Sequence, residues 1–240
     1  MNVKAYMGAA AVGAALALGS AGSAGAAVYD FTSGVAPIDG KSTSSIDMGT
    51  YTIDGWWSYA SNTDPANRTA RALNFVEKLT DSGVCAADGL LACKRDGAGV
   101  GDDEISETAT YYEGITVTFD TVQTITGLIF LDLFVSPDDA DIKEQAQVVF
   151  DEGTANESSA VFTAAETKDG VNIGYLNAAF GPVKATTLTF ILAPLTNDDR
   201  GVGDYAVAGI VTPLPAAVWF MVTALGGLFG TRWLRGARTA

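Results

Sequence analysis

The stretch Thr124-Ile-Thr-Gly-Leu-Ile-Phe-Leu-Asp-Leu-Phe134 decides the fold class of this chain. It is rich in β-branched and aromatic residues, which favour strands. From Leu128 onward it is almost continuously apolar, which is typical of a central strand covered on both faces. Just before it, Gly114-Ile-Thr-Val-Thr-Phe119 alternates apolar and polar residues, so its apolar side chains lie on one face of a strand.

Similar short segments recur along the chain between turn-forming residues, and they predict further strands at 50–59, 145–150, 159–163, 170–175, 186–192 and 205–210. Many short strands without a long amphipathic helical pattern predict an all-β fold, an antiparallel β-sandwich of the jelly-roll kind. Residues 71–79 fit either a helix or a strand. Residues 94–107 are rich in glycine and acidic residues and predict a loop.

An apolar run near the carboxyl end predicts a membrane-spanning helix. It extends through roughly 20 residues from Pro215 to Leu234, with Arg232 as its only charge. A helix of that length reaches about 30 Å, the thickness of the hydrocarbon core of a bilayer. Arg235 and Arg238 follow without an acidic neighbour, so we expect this end to face the cytoplasm. A buried helix of a soluble protein is the alternative, but it would show a polar stripe that this run lacks.

The amino end predicts a signal peptide over residues 1–27. A short basic start is followed by the apolar run Ala5–Leu18, and Ala24-Gly-Ala26 fits the small-x-small rule for cleavage. An uncleaved anchor is the alternative, although the apolar run is short and ends in glycine and serine. We therefore expect an exported domain over residues 28–211.

The motif Pro213-Leu214-Pro215-Ala216, the apolar span and the arginine cluster together resemble the C-terminal sorting signals of the PEP-CTERM class, in its VPLPA variant. The resemblance covers residues 212–240, with Thr212 in the place of the variant's first valine. It implies recognition by an exosortase-like enzyme, a precursor held transiently in the inner membrane, and delivery to the cell surface or the extracellular space. We predict that Trp219, Phe220, Gly226 and Gly230 lie in the membrane-spanning helix. The arginines at its end stop translocation: Arg232, Arg235 and Arg238.

The charge of the chain excludes one class of partner. Its formal net charge is −14, and every acidic residue lies between Asp30 and Asp204. Such a surface repels the phosphate backbone, so we expect no nucleic-acid partner. Acidic surfaces are also common in secreted proteins and in proteins from salty habitats.

The absence of histidine and the spacing of the cysteines narrow the chemistry further. Without histidine, Ser-His-Asp and Cys-His catalysis are excluded. Cys85 and Cys93 lie eight residues apart and predict a local disulfide in an oxidising compartment. We predict no catalytic residue and no required cofactor.

Acidic clusters offer a candidate metal site. Asp102, Asp103 and Glu104 lie in a glycine-rich loop, and a second cluster follows Pro137. Oxygen ligands suit a structural calcium, although neither cluster matches the EF-hand loop. Solvated turn charges are the alternative.

These observations predict a non-catalytic structural or adhesive protein of the cell surface or extracellular matrix. The alternative is a carbohydrate-binding or carbohydrate-cleaving module displayed by the same sorting tail, with extracellular polysaccharide as partner. Trp56, Trp57 and Tyr59 offer aromatic rings for sugar stacking, but strand alternation puts the two tryptophans on opposite faces. No carboxylate pair for glycoside hydrolysis stands out from the sequence.

Overall fold

A computed structural model gives the architecture of the chain. It describes residues 26–33, 43–59, 64–75, 85, 89–101, 104–108, 110–138, 140, 142–168, 172–193 and 203–213. Val28–Thr212 forms one compact unit. Within the described ranges, no helix has the length and apolar character needed to span a bilayer. The predicted span and most of the predicted signal peptide lie outside these residues.

The described part of the chain contains fourteen strands and one short 3-10 helix, Pro65–Asn67. In chain order the strands are β1 Ala26–Asp30, β2 Ser45–Asp47, β3 Tyr51–Tyr59, β4 Thr69–Ala70, β5 Leu73–Asn74, β6 Gly99–Val100, β7 Ile105–Ser106, β8 Tyr111–Leu131, β9 Phe134–Val135, β10 Gln145–Phe150, β11 Ser158–Thr163, β12 Glu166–Thr167, β13 Leu176–Leu192 and β14 Asp204–Pro213.

The main sheet is antiparallel and follows the order β1-β14-β8-β13-β10-β11. β3 joins it through β8 and carries β2 and β4, while the short β7 pairs with β14. Two small two-stranded sheets complete the described elements: β5 with β6, and β9 with β12, the latter parallel. The predicted all-β fold with an antiparallel main sheet is therefore confirmed, and its jelly-roll sandwich form stays a prediction.

The long strand β8 joins two halves of the main sheet. Its first half pairs with β3 from Tyr111 to Phe119, and its second half pairs with β14 from Gly127 to Leu131. Between these halves its register against β13 shifts, because several residues of β8 lie opposite a single residue of β13. Buried side chains from both halves share one core cluster, so the bent sheet encloses that core.

A smaller apolar cluster is covered by the disulfide loop. Cys85 and Cys93 are bonded with their Cα atoms 5.9 Å apart, which confirms the predicted disulfide. Both cysteines are buried with Ile129 and Leu131 of β8. The Cys93 amide donates to Thr32 Oγ1 at 2.9 Å, so the loop is also fixed to the end of β1.

Several strand predictions need correction. The predicted strands 114–119 and 124–134 are largely one continuous strand, β8, because 120–123 bend without ending it. Of the predicted strand 170–175, residues 172–175 do not form a strand, and β13 begins only at Leu176. The predicted loop 94–107 contains the strands β6 and β7. Of the undecided segment 71–79, Leu73–Asn74 is a strand and 76–79 lie outside the described residues.

Candidate functional site

An aromatic cluster of Trp57, Tyr59 and Tyr111 lies where the core meets solvent at one end of the β3–β8 pair. Trp57 and Tyr59 share the face of β3 that buries Ile53, because residues two apart point to the same side. The ring centroids of Trp57 lie 5.1 Å from Tyr59 and 6.2 Å from Tyr111, both edge to face. Tyr59 is 57% exposed, and the other two rings are half-buried.

Trp56 lies on the opposite face of β3, which confirms the predicted alternation, and it is buried. Its Nε1 donates to Thr116 Oγ1 at 3.0 Å, and its ring packs over Gly114. The guanidinium carbon of Arg68 lies 3.8 Å from the ring centroid, and Arg68 makes two 2.7 Å bonds to Glu152. Trp56 is therefore sealed from solvent by an ion pair, and a sugar can reach only Trp57 of the two tryptophans.

An ion pair with a buried carboxylate adjoins the aromatic cluster. Arg71 Nη1 lies 2.6 Å from Glu113 Oε1, and the Arg71 guanidinium carbon is 5.7 Å from the centroid of Tyr111. Glu113 is only 1% exposed, and its other oxygen accepts from Ser106 Oγ at 2.8 Å. The carboxylate is thus satisfied on both oxygens, as a buried charge requires.

The Arg71 side chain is held in place but remains accessible. Its backbone amide donates to the Gly55 carbonyl at 2.9 Å, and its side chain is 36% exposed. Gly101 has a φ of +79°, and a Cβ there would lie 2.6 Å from Arg71 Nε, so this glycine leaves room for the guanidinium. Since a guanidinium carries five N–H donors, Arg71 can serve Glu113 and a bound ligand at once.

A second candidate site is a cavity of about 250 Å³ at the start of β14. Its apolar wall includes Phe134 and Ile142, and its polar groups include Glu144, Lys168 and Asp204. The Glu144 carboxyl accepts from the Phe134 amide and is hydrogen-bonded to the Asp204 side chain. The negative charge of a neighbouring carboxylate favours the protonated form of Glu144, because two charged oxygens repel.

The pKa of Glu144 reflects that arrangement. Burial is the largest cause and raises the pKa, the Phe134 amide lowers it, the charge of Asp204 raises it and that of Lys168 lowers it. The result is a pKa of about 8 against an ordinary value of 4.5. Burial and the neighbouring Asp204 therefore favour the protonated form of Glu144.

The predicted metal site receives no support from the described residues. Asp102 and Asp103 lie outside them, and Glu104 is seen accepting a 2.9 Å bond from the Val100 amide through its backbone carbonyl. Across the residues that the structure describes, no group of three or more acidic, cysteine or histidine side chains could hold a metal ion.

The structure also reaches the start of the predicted sorting signal. Thr212 is buried in β14, and Pro213 is the exposed last residue of that strand. Leu214, Pro215 and Ala216, with the membrane and arginine positions beyond them, lie outside the described residues. The sorting signal stays a prediction.

Sequence reasoning missed three members of the aromatic end of the sandwich: Arg71, Tyr111 and Glu113. One signal was present. Tyr111 and Glu113 have the same alternation phase as the apolar side chains Ile115 and Val117. A buried glutamate in the core phase of a strand requires a partner for its charge, and that partner is Arg71.

Comparisons with known proteins give little further guidance. No family model matches this chain, and no curated protein matches it. Among solved structures, the Clostridium perfringens module CpGH89CBM32-5, in complex with GalNAc-β-1,3-galactose, matches at 17% identity and a TM-score of 0.23. The match covers 42% of this chain and 65% of that one, so this chain spans about two thirds of the length of the module. An F5/8 type C domain from Bacteroides fragilis matches at 13% identity over 71% of this chain and 97% of that one, with a TM-score of 0.31. Both TM-scores are too low to bear on function.

Proposed function

We propose that this protein is a non-catalytic carbohydrate-binding module, and that its ligand site is the aromatic cluster Trp57, Tyr59 and Tyr111 together with Arg71. The observation that carries the proposal is the combination of accessible aromatic rings with a guanidinium oriented by a buried carboxylate. This combination favours the predicted alternative, a displayed carbohydrate-binding module, over a purely structural or adhesive role.

The aromatic cluster has the surface chemistry that a sugar needs. A pyranose presents C–H groups on its faces and hydroxyl groups at its edge, so it stacks on an aromatic ring and keeps its hydroxyls free for hydrogen bonds. Trp57 stands nearly perpendicular to both Tyr59 and Tyr111, with interplanar angles of 74° and 79°. These rings form a stepped surface whose phenol hydroxyls add polar contacts.

Arg71 supplies the directional part of recognition. Its position is fixed by Glu113 at 2.6 Å and by its backbone bond to Gly55, so little side-chain entropy is lost when a ligand binds. Its charge is balanced by Glu113, and the chain as a whole carries −14. A neutral glycan therefore fits the site better than a polyanionic one.

Neither Glu113 nor the Glu144–Asp204 pair is arranged for glycoside hydrolysis. Glu113 is 1% exposed and bonded on both oxygens, so it cannot reach a glycosidic oxygen. Glu144 and Asp204 are hydrogen-bonded to each other, whereas hydrolases hold their two carboxyls roughly 5–10 Å apart with the scissile bond between them. Binding without cleavage is the function that this geometry supports.

The predicted sorting tail is compatible with this role. An exosortase-processed protein is released toward the outer surface, where a glycan-binding domain meets extracellular polysaccharide. This localisation rests on the sequence resemblance alone.

The proposal is tested on a glycan array with the full chain, purified in a detergent without a sugar headgroup. We expect saturable binding to neutral glycans and no product by chromatography after prolonged incubation. Absence of binding to every glycan would reject the proposal, and release of shorter glycans would show that the protein is an enzyme.

A further inference from the structure

We propose that two copies of this chain associate edge to edge through β11. The strand Ser158–Thr163 of one copy pairs antiparallel with the same strand of the other, so the main sheet continues across the contact. This inference is independent of the proposed carbohydrate site. It rests on the open hydrogen-bonding edge of β11, on the neutral sequence of that strand, and on the fit of that sequence to a two-fold axis.

β11 forms one edge of the main sheet. In the strand order β1-β14-β8-β13-β10-β11 it pairs with β10 on one side, and within the described ranges no strand lies on its other side. The register against β10 is continuous from Gln145↔Thr163 to Phe150↔Ser158. β11 therefore has no bulge that would turn its outer edge away from a further strand.

The register also shows which backbone groups of β11 face outward. The Ala193 amide donates to the Gln145 carbonyl at 2.9 Å, so the backbone groups of Gln145 point toward β13 and away from β11. Because backbone groups alternate sides along a strand, every second residue of β10 faces β11, beginning with Ala146 opposite Phe162. The amides and carbonyls that β11 directs away from β10 are those of the residues between: Ser159, Val161 and Thr163.

Pairing of β11 with its own copy satisfies all of these outward groups. When Val161 lies opposite Val161 of the partner subunit, Ser159 lies opposite the partner's Thr163, and the two-fold axis passes between the two valines. Each of these pairs exchanges both of its N–H···O bonds, as in an ordinary antiparallel ladder. The strand is therefore suited to an isologous contact, in which the same surface serves both copies.

The side chains on both faces of β11 fit this register. On the outer face Val161 is 51% exposed, and the pairing lets the two valines cover each other. On the inner face Phe162 is half-buried, with its ring centroid 5.4 Å from that of Phe130 and 5.8 Å from that of Phe180. The residue opposite Phe162 across the contact is Ala160, whose small side chain leaves room for the ring.

β11 lacks the features that keep edge strands apart. Its sequence, Ser-Ser-Ala-Val-Phe-Thr, contains no charged residue and no proline, although the chain carries a net charge of −14. Among the described strands, β1 and β2 at other edges end in Asp30 and Asp47, and β4 and β7 have only two residues each. A neutral edge on an acidic chain favours contact with another neutral edge, and β11 of a second copy provides one.

The contact lies away from the aromatic cluster. β10 and β13 separate β11 from β8, whereas the cluster lies on β3 and β8. A soluble oligosaccharide should therefore bind each copy with the same affinity in the monomer and in the dimer. Glycan binding and dimerisation are thus tested separately, and either can fail without the other.

The first test follows self-association of the full chain by sedimentation equilibrium in a detergent without a sugar headgroup. The paired surface is small, so we expect a reversible dimer with a Kd on the order of 10 μM. Val161→Lys places two like charges opposite each other and should weaken the dimer about tenfold. Val122→Lys is the matched control, since Val122 is 61% exposed at the bend of β8, and it should dimerise as wild type does. A wild type that is monomeric up to about 200 μM, or equal association of the two lysine variants, would overturn the proposal.

A second test examines the register directly. In a hydrogen-bonded antiparallel pair the two Cα atoms lie about 5.5 Å apart, so thiols at position 161 of both copies are within reach of a short bifunctional thiol reagent. Val161→Cys should therefore be linked as a dimer, whereas Val122→Cys should not. The native thiols do not react, because Cys85 and Cys93 are buried and bonded to each other. Equal linking of the two variants would overturn the β11 contact, even in a protein that dimerises through its predicted membrane span.

Discussion

Arg71 and Glu113 form a 2.6 Å ion pair in which the carboxylate is 1% exposed and the guanidinium side chain is 36% exposed. This difference in exposure gives the pair two roles, one in the stability of the fold and one in ligand binding. The buried member requires a partner, whereas the exposed member is free to meet a ligand. The pair stands beside the accessible rings of Trp57, Tyr59 and Tyr111, and this arrangement sets the predictions below.

Replacing Trp57 by alanine should weaken glycan binding about tenfold, because it removes the ring that contacts both tyrosines. Isothermal titration with the array glycan measures the change. Val161→Ala is the matched control, since Val161 is 51% exposed on β11, away from the cluster. Equal losses in both variants would mean that the aromatic cluster is not the site.

Replacing Arg71 by lysine should separate stability from binding. Lysine keeps a positive charge near Glu113, so the free energy of unfolding should change by about 1 kcal/mol at most. An ammonium cannot serve Glu113 and the ligand with the same geometry, so binding should fall severalfold. Arg71→Met, which leaves Glu113 buried without its cation, should cost about 2 kcal/mol of stability. Chemical denaturation measures the free energy of unfolding, and calorimetric titration of the same samples measures the glycan affinity. If the Arg71→Lys variant binds the glycan with wild-type affinity, Arg71 is not part of the site.

Removing the disulfide should lower stability without abolishing the fold. The loop between Cys85 and Cys93 is short, so its closure should contribute about 2–3 kcal/mol. The loop also covers buried Ile129 and Leu131. The Cys85→Ser, Cys93→Ser double variant should therefore melt several degrees below wild type. A melting temperature equal to that of wild type would show that the core alone holds this loop.

Stability should depend on pH through Glu144 in a defined direction. Its pKa is about 8 in the fold against 4.5 ordinarily, so between these values the folded state holds a proton that the unfolded state lacks. The contribution of Glu144 to the free energy of unfolding is fully present below about pH 4.5. It is lost as the pH rises to about 8. Allowing for solvent screening, we expect a loss of about 1–2 kcal/mol relative to Glu144→Gln. Thermal melts of both proteins from pH 5 to 9 measure the difference, and parallel curves would contradict the raised pKa.

Processing of the tail should depend on the proline motif. Replacing Pro213–Ala216 by a serine and glycine stretch should leave a longer, membrane-retained form in the producing cell, because the predicted sorting role requires an exosortase-like enzyme to recognise this motif. Immunoblots of membrane and extracellular fractions distinguish the two forms. Normal release of the altered protein would reject the sorting role of this motif.

The fold class could be predicted from the sequence because alternation and β-branched content report directly on strands, as in 114–119 and 145–150. The continuity of β8 could not, since 120–122 are exposed at the bend and, apart from Val122, polar, so the segment resembles a turn. The disulfide followed from two cysteines at short spacing. The short strands β6 and β7 depend on partners distant in sequence, which no local pattern reveals.

Only part of the candidate site could be anticipated in the same way. The sequence predicts that Trp56 and Trp57 point to opposite faces of β3. It does not predict that Trp56 is covered, because the covering residues Arg68 and Glu152 come from distant loops. The Glu144–Asp204 contact likewise joins residues sixty positions apart. Long-range contacts therefore supply the chemistry that short-range patterns leave out.

The central claim is that Trp57, Tyr59, Tyr111 and Arg71 form a carbohydrate site. Its most direct test is calorimetric titration of the full chain with a neutral oligosaccharide selected on the array, compared with Trp57→Ala and with Val161→Ala. We predict saturable binding that Trp57→Ala weakens about tenfold and Val161→Ala leaves unchanged. Wild-type affinity in Trp57→Ala would contradict the account.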